Sequence, residues 1–367
     1  MEEKLEILSS DTVSSKTHRG LCVCIVFVSL MALLILGGCE KKERLYIYNW
    51  TYYTPDSVIE KFENKFNVRV IYDEFASNED MYAKLKATQG KSGGYDIVFP
   101  SADYVSIMIN EGMFEKINKS LIPNLTNVDP VVLGFADYDS GMDYSVPYYF
   151  GAAGIVVNTA KVPSFGKSWS IFAREDLKGR MTMLDDMREV MGDALAYLGY
   201  SVNTVDQSQI IEARNLINNS WKPNLVKFDA DAFGKGYANG EFWVVQGYPE
   251  VVFEEIIEDK QMMKNTVFFF PKEGGPAYID SMCILKGSRN IELAHKFINF
   301  IHEPEIYAEF CDSFGFPATA NVPARQFSQG PTWYSANDLA NVELKRDLGK
   351  SLELYNDAWF NSIRIGE

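Results

Sequence analysis

The chain is poor in the residues that most metal and nucleophile chemistry requires. It has three histidines and five cysteines in 367 residues. Cys22, Cys24, Cys39 and His18 all lie near the amino terminus, so only Cys283, Cys311, His295 and His302 remain in the body of the chain. That leaves too little for a disulfide scaffold, a zinc site or a Ser-His-Asp hydrolase, and no cofactor or metal is expected. The two remaining histidines share the helical segment IELAHKFINFIHEP and read as surface or interface residues. Cys283, in the apolar run MCIL, and Cys311 read as buried thiols, with a disulfide between them left open. Basic residues are also in deficit, 35 against 50 acidic ones for a net charge of −15. Nucleic acid is excluded as a partner, because phosphate backbones need clustered Lys and Arg. The glycine-rich GKGYANG, Gly234 to Gly240, lacks the Lys-Ser/Thr ending of a phosphate loop, so a nucleotide site has no support. Internal repeats, low-complexity tracts and long flexible linkers are absent as well.

An uncharged apolar run does occur once, at LCVCIVFVSLMALLILGG, Leu21 to Gly38, just after Lys16, His18 and Arg19. It reads as a targeting segment, residues 1–38. Leu36-Gly37-Gly38-Cys39 resembles a bacterial lipobox, which implies cleavage before Cys39, lipidation of that cysteine and a membrane anchor. Each buried acyl methylene contributes ~0.8 kcal/mol to such an anchor. The acidic stretch before Lys16 is long for a signal n-region, and translation is expected to start downstream of Met1.

Beyond the leader, β-type runs alternate with helical periodicity: LYIYNW, a helix capped by Thr54 with Pro55 first, VRVIYDE, a helix opened by Ser77-Asn78-Glu79-Asp80, YDIVFP, then a helix with Val105, Met108 and Ile109 on one side. Strand-helix repetition predicts a parallel α/β sheet, and 367 residues with 47% hydrophobic content predict two lobes. Ligands of such sheets bind beyond the carboxyl ends of the strands, here Asn49 to Tyr53 and Ser101 to Tyr104. SVPYYFGAAGIVVN, Ser145 to Asn158, reads as a crossing into the second lobe, and PKEGGPAYIDSMCIL as the return. Multiple short crossings predict a hinge.

Three further stretches carry chemistry. In DDMREV, Asp186 and Glu189 share the first turn of a helix, where carboxylates are also explained by capping. In PKEGGPAYIDS, Tyr278 and Asp280 alternate onto one side of an extended segment. Tyr248 follows the apolar FWVV at a strand end. The shared theme is isolated carboxylates beside aromatic rings, joined at YNWTYYTPD by four rings that no strand-to-helix turn needs. Ammonium groups seek carboxylates, and their methylenes seek ring faces; the combination describes a polyamine.

In order, LYIYNWTYYTP, SNEDMYAKLKA, YDIVFPS, YSVPYYFGAAGIVVN, DDMREV, PKEGG with YIDS, and INFIHEP followed by FGFPATAN resemble the spermidine/putrescine-binding receptors of bacterial ABC importers over nearly all the mature chain. The resemblance implies a non-enzymatic receptor with an α/β, two-lobed, type II periplasmic-binding-protein fold, each lobe a mixed sheet flanked by helices. It implies lobes of 44–150 plus 280–324 and 151–279 plus 325–367, closing on a ligand that is passed to an ABC permease. It carries over Trp50, Thr51, Tyr53, Ser101, Asp186, Glu189 and Asp280 as ligand residues, with Tyr248 and Tyr278 where tryptophans are usual. Four positions depart: Tyr52 stands for Glu, Asp103 and Phe316 for Tyr, and Lys345 for Gln. Loss of an acid at 52 and gain of a cation at 345 imply that putrescine is favoured, unless Asp103 restores the charge. Two other readings stay open. One is a receptor of the same fold for a sugar, ferric ion or anion; the other is an extracellular hydrolase using Asp186 or Glu189.

Overall fold

The computed structural model describes residues 42–51, 53–75, 77–88, 92–330 and 332–365. Cys39, the whole leader and Tyr52 lie outside these residues. Among the described residues no helix is long and apolar enough to cross a membrane.

Among the described residues eleven strands form two mixed sheets. The first contains β1 (Arg44–Trp50), β2 (Arg69–Phe75), β3 (Ile97–Val98), β4 (Ser145–Ala152), β10 (Pro276–Ile284) and β11 (Glu343–Leu344). Its order is β11-β10-β3-β1-β2, with β4 also paired to β10. The second contains β5 (Gly154–Asn158), β6 (Met181–Met183), β7 (Leu225–Phe228), β8 (Val244–Gly247) and β9 (Thr266–Phe269), in the order β7-β6-β8-β5-β9. In the first sheet β1 runs parallel to β2 and β3, as βαβ units require, while β10 runs antiparallel to β3 and β4. One residue, Ala153, separates β4 from β5, so the chain changes sheets there. It returns between β9 and β10. The start of β10 and the short β11 pair with each other in the first sheet.

Three crossover helices pack the first half: α1 (Asp56–Phe66), α2 (Asn78–Lys86) and α3 (Ala102–Asn110). Val58 and Phe62 are the buried positions of α1, one turn apart, and Phe62 meets Phe297 edge-on at 5.0 Å. Asn67 ends this helix in the left-handed region, a conformation that asparagine tolerates well. Ser77 caps α2 as expected, accepting from Asp80 N at 3.1 Å. Thr54 does not cap α1: Pro55 holds the N-cap position in an extended conformation without a side-chain cap. The Thr54 hydroxyl instead accepts from Asn49 Nδ2 and meets Tyr148 Oη, each at 3.0 Å, tying the end of β1 to β4.

Around these elements lie two large apolar cores. One joins β1, β4 and β10 to α1 and the helices Ile291–Ile301 and Pro304–Phe314; the other surrounds β5, β6 and β8 with Trp169, Trp221 and Trp359. His295 and His302 are buried, contrary to the surface placement expected for them. His302 lies 2.9 Å from the Pro147 carbonyl, and burial pushes its imidazole down to about 4, so it stays neutral. His295 accepts from Asn118 N at 2.8 Å. Helical periodicity placed both on helices but could not show that other chain segments cover them. Cys283 and Cys311 are both free and buried.

The second half is anchored by α4 (Met187–Tyr197) and α5 (Pro249–Ile256). Gly192 of α4 faces the first residue of β10, where an added Cβ would overlap Pro276 Cγ. A rigid ring in a paired strand cannot yield easily. Gly192→Ala should therefore lower the melting temperature, overpacking of ~1–3 kcal/mol outweighing the gain in helix propensity. The same change on an exposed helix face would raise it.

Candidate ligand site

The carboxyl ends of β1 and β3 and the middle of β10 meet at one point. Asp280 on β10 is buried, and its carboxylate accepts from Ser101 Oγ at 2.6 Å and from Tyr53 Oη at 2.7 Å. Ser101 is the residue before α3 and bridges Asp280 across the sheet. Its hydroxyl is fixed in turn by Asn78 Nδ2 at 3.0 Å. Burial raises the Asp280 carboxyl to about 6 against the lowering effect of these two donors, so it is mostly ionised at neutral pH. Among the described residues no cation reaches Asp280 within ion-pair distance; it is an anion held by neutral donors.

Tyr278, two residues earlier on the same face of β10, lies opposite Gly151 on β4. A Cβ at Gly151 would come within 2.7 Å of Tyr278 Oη, so the glycine gives the ring its place. Tyr248, just before α5, meets Tyr278 perpendicularly at 5.7 Å. Phe316 stacks on Tyr149 at 4.5 Å and lies edge-on to Tyr53 at 5.8 Å. Trp50 donates its indole N–H to the Phe99 carbonyl at 2.9 Å and leans on Phe75 at 4.6 Å, a fixed and partly buried ring at the end of β1. Thr51 is exposed, with its backbone N–H and its hydroxyl both directed to the Phe75 carbonyl. It closes the β1–β2 ladder and contributes no buried group.

Helix α4 supplies two further carboxylates, and the segment after β11 a cation. Asp186 is the N-cap of α4, one oxygen accepting from Arg188 N at 2.8 Å and from Glu189 N at 3.0 Å. Glu189 is fully buried; its Oε1 receives the Lys345 ammonium and, at 3.3 Å, the Tyr248 hydroxyl, while Oε2 has no hydrogen-bond partner. Lys345 follows β11, donates its backbone N–H to Ala277 O at 2.9 Å and lies 6.0 Å from the Tyr278 ring. Burial opposes the charge on Lys345, but Glu189, Asp186 and Asp103 outweigh it and raise its affinity for the proton. Asp103, partly buried on α3, is raised by burial and pulled back by the charges of Lys345 and Arg188. Residues from both sheets thus share one electrostatic environment.

The structure adds four residues absent from the sequence-based set. Asp193, one turn beyond Glu189, is fully buried, and neither of its oxygens has a hydrogen-bond partner among the described residues. Burial first, then Glu189 and Asp186, push it far up, so it holds its proton. The i, i+4 spacing from Glu189 was the available signal. Tyr149 and Tyr334 join hydroxyls at 2.8 Å behind Phe316, and Glu250 sits in the first turn of α5. The spacing Tyr248-Pro249-Glu250 could have marked it, but an acid in a first helical turn is ordinary.

Residues 57–341 match the model of the bacterial extracellular solute-binding protein family. The chain belongs to that family. Among relatives of this solute-binding protein, the spermidine/putrescine-binding periplasmic protein of Escherichia coli is 36% identical over 89% of this chain and 93% of its own length. The putrescine/cadaverine-binding protein of Pseudomonas aeruginosa is 31% identical over 81% of this chain and 86% of its own. The crystal structure of the TpPotD lipoprotein of Treponema pallidum superposes with a TM-score of 0.83 at 50% identity, covering 88% of this chain and 99% of that one. The two sheets with their flanking helices are therefore the two lobes of a periplasmic-binding-protein fold, as expected from the sequence. A hydrolase pair is poorly served by this solute-binding protein's geometry: Asp186 caps a helix and Glu189 is ion-paired, and both lie on one element.

Proposed function

We propose that this protein captures polyamines outside the cytoplasm by closure of its two lobes and delivers them to an ABC permease, without catalysis. The observation that carries the reading is Asp280, an ionised carboxylate held by Ser101 and Tyr53, with Tyr278 two residues away on its strand. A primary ammonium beside it would form a charge-assisted hydrogen bond, and the rings of Tyr53, Tyr278 and Trp50 would cover the methylenes. The relatives named for spermidine, putrescine or cadaverine support the same ligand class. Closure is driven by whatever the ligand gains in the closed state over the open one, since Asp280 comes from one sheet and Glu189 from the other. The lobes follow residues 44–150 plus 280–324 and 151–279 plus 325–367, with β11 crossing back to the first sheet. Lipidation at Cys39 would hold the receptor at the membrane surface.

A thermal-shift panel of amines, amino acids, sugars and ferric ion, followed by calorimetry on the hits, tests the reading. Putrescine or spermidine should raise the melting temperature and bind with one-to-one stoichiometry. A response confined to sugars, anions or iron would overturn it.

A further inference from the structure

Five carboxylates face the region between the sheets or line its aromatic wall: Asp103, Asp186, Glu189, Glu250 and Asp280. Their partners are unequal. Glu189 already holds the Lys345 ammonium, Asp186 is occupied by two backbone N–H groups, and Asp103 lies in the field of Lys345 and Arg188. Among the described residues Asp280 has neutral hydrogen-bond donors only, with the Lys345 charge acting on it at longer range. Glu250 Oε2 is buried without any hydrogen-bond partner among the described residues. The hydroxyls that sense its charge are those of Tyr149, Tyr248, Tyr278 and Tyr334. Three of them are engaged elsewhere, Tyr149 with Tyr334 and Tyr248 with Glu189. A buried carboxylate oxygen among spent donors is unfavourable when charged, so it takes up either a proton or a cation. Tyr278 links the two acids: it stands two residues before Asp280 on β10, and its ring meets that of Tyr248, two residues before Glu250, at 5.7 Å.

We propose that Glu250 receives the second ammonium of a ligand whose first ammonium sits on Asp280, and that Lys345 is a resident ammonium on Glu189, so that the receptor prefers a diamine to a triamine. This deepens, and rests on, the polyamine reading. A third ligand ammonium would have to displace Lys345 from a buried pair or remain without an acid. Lys345 thus acts on selectivity by occupying a carboxylate, and Glu250 acts on affinity by offering one.

The proton count gives a separate readout. Burial raises Glu250 to about 7 against the lowering effect of its own backbone N–H. A ligand ammonium stabilises the ionised form and lowers that value in the complex. Binding therefore releases a proton near pH 7, and affinity rises with pH until Glu250 is ionised in the free protein as well.

Calorimetry with putrescine and spermidine on the full mature chain, between pH 6 and 8 and in buffers of different ionisation enthalpy, tests this. Wild type should favour putrescine and release a proton on binding. Glu250→Gln should lower putrescine affinity roughly ten-fold or more and remove the part of the pH dependence centred near 7, leaving that of Asp280 near 6. Lys345→Gln should shift the spermidine-to-putrescine ratio roughly ten-fold toward spermidine. The double change Glu189→Gln with Lys345→Gln leaves no unpaired buried charge and secures the test if the single variant folds poorly; it should retain the preference for putrescine, because no acid is freed. If wild type binds neither amine, the polyamine reading falls and this inference with it. If wild type binds but Glu250→Gln stays within two-fold with the same pH profile, or Lys345→Gln leaves the ratio unchanged, the inference alone is overturned.

Discussion

Asp280→Asn is expected to lower polyamine affinity by roughly 10- to 100-fold while leaving the ligand-free protein as stable as wild type at neutral pH or more so. The side chain keeps its size, so the packing of Tyr53 and Ser101 against β10 is retained. What is lost is the negative charge and one of two acceptors: the amide oxygen takes either Ser101 or Tyr53, and its NH₂ faces the other. Ser101 can adapt, because its hydroxyl also meets Asn78. The ligand cannot, because an ammonium now faces a donor. Stability moves the other way. The Asp280 carboxyl is raised to about 6, above its ordinary unfolded value near 4, so its protonated form favours the folded state. That contribution is complete below about pH 4 and is lost as pH rises through 6. Melting curves against pH should therefore lose this component in the variant, and the ligand-induced shift in melting temperature should shrink at a given ligand concentration. Asparagine binding putrescine within two-fold of wild type would reject Asp280 as the anchoring anion.

Parts of this site were legible because they depend on local rules. The alternation of Tyr278 and Asp280 put both on one face of a strand, and the strand-end rule pointed to Tyr53 and Ser101, which hold Asp280. The acidic first turn of α4 was also visible from the spacing of Asp186 and Glu189. Other parts depend on contacts between distant positions. Glu189 and Lys345 are 156 residues apart, and only the return of β11 to the edge of β10 brings the lysine to the acid. Glu250 looks like any acid in a first helical turn until the tertiary structure buries its Oε2. Thr54 was read as a cap because Thr before Pro commonly caps a helix, yet its hydroxyl is drawn to Asn49 and Tyr148. Burial of His302 follows from its approach to the Pro147 carbonyl at 2.9 Å, a tertiary contact that helical periodicity does not encode.

The second large effect is on stability, from Glu189→Ala. Glu189 is fully buried and the Lys345 side chain is only 15% exposed, so the pair is well removed from water. Removing one partner leaves the other charge poorly solvated, at a cost of ~3–5 kcal/mol. The melting temperature should fall by several degrees. Lys345 has one way to recover. Asp193 lies a turn below with two free oxygens and is protonated mainly because burial, and then Glu189, disfavour its charge. With Glu189 gone, Asp193 can ionise more readily and take the ammonium, so the single variant should lose less than the double change Glu189→Ala with Asp193→Asn. Asp193→Asn alone should behave differently. The raised Asp193 carboxyl favours the folded state when protonated, fully below its unfolded value near 4 and progressively less as pH rises toward its folded value. The asparagine variant should thus match wild type in acid and gain on it as pH rises. If Glu189→Ala and the double variant melt at the same temperature, Asp193 is not the reserve partner, and the acidic face of α4 has one ion-pairing acid rather than two.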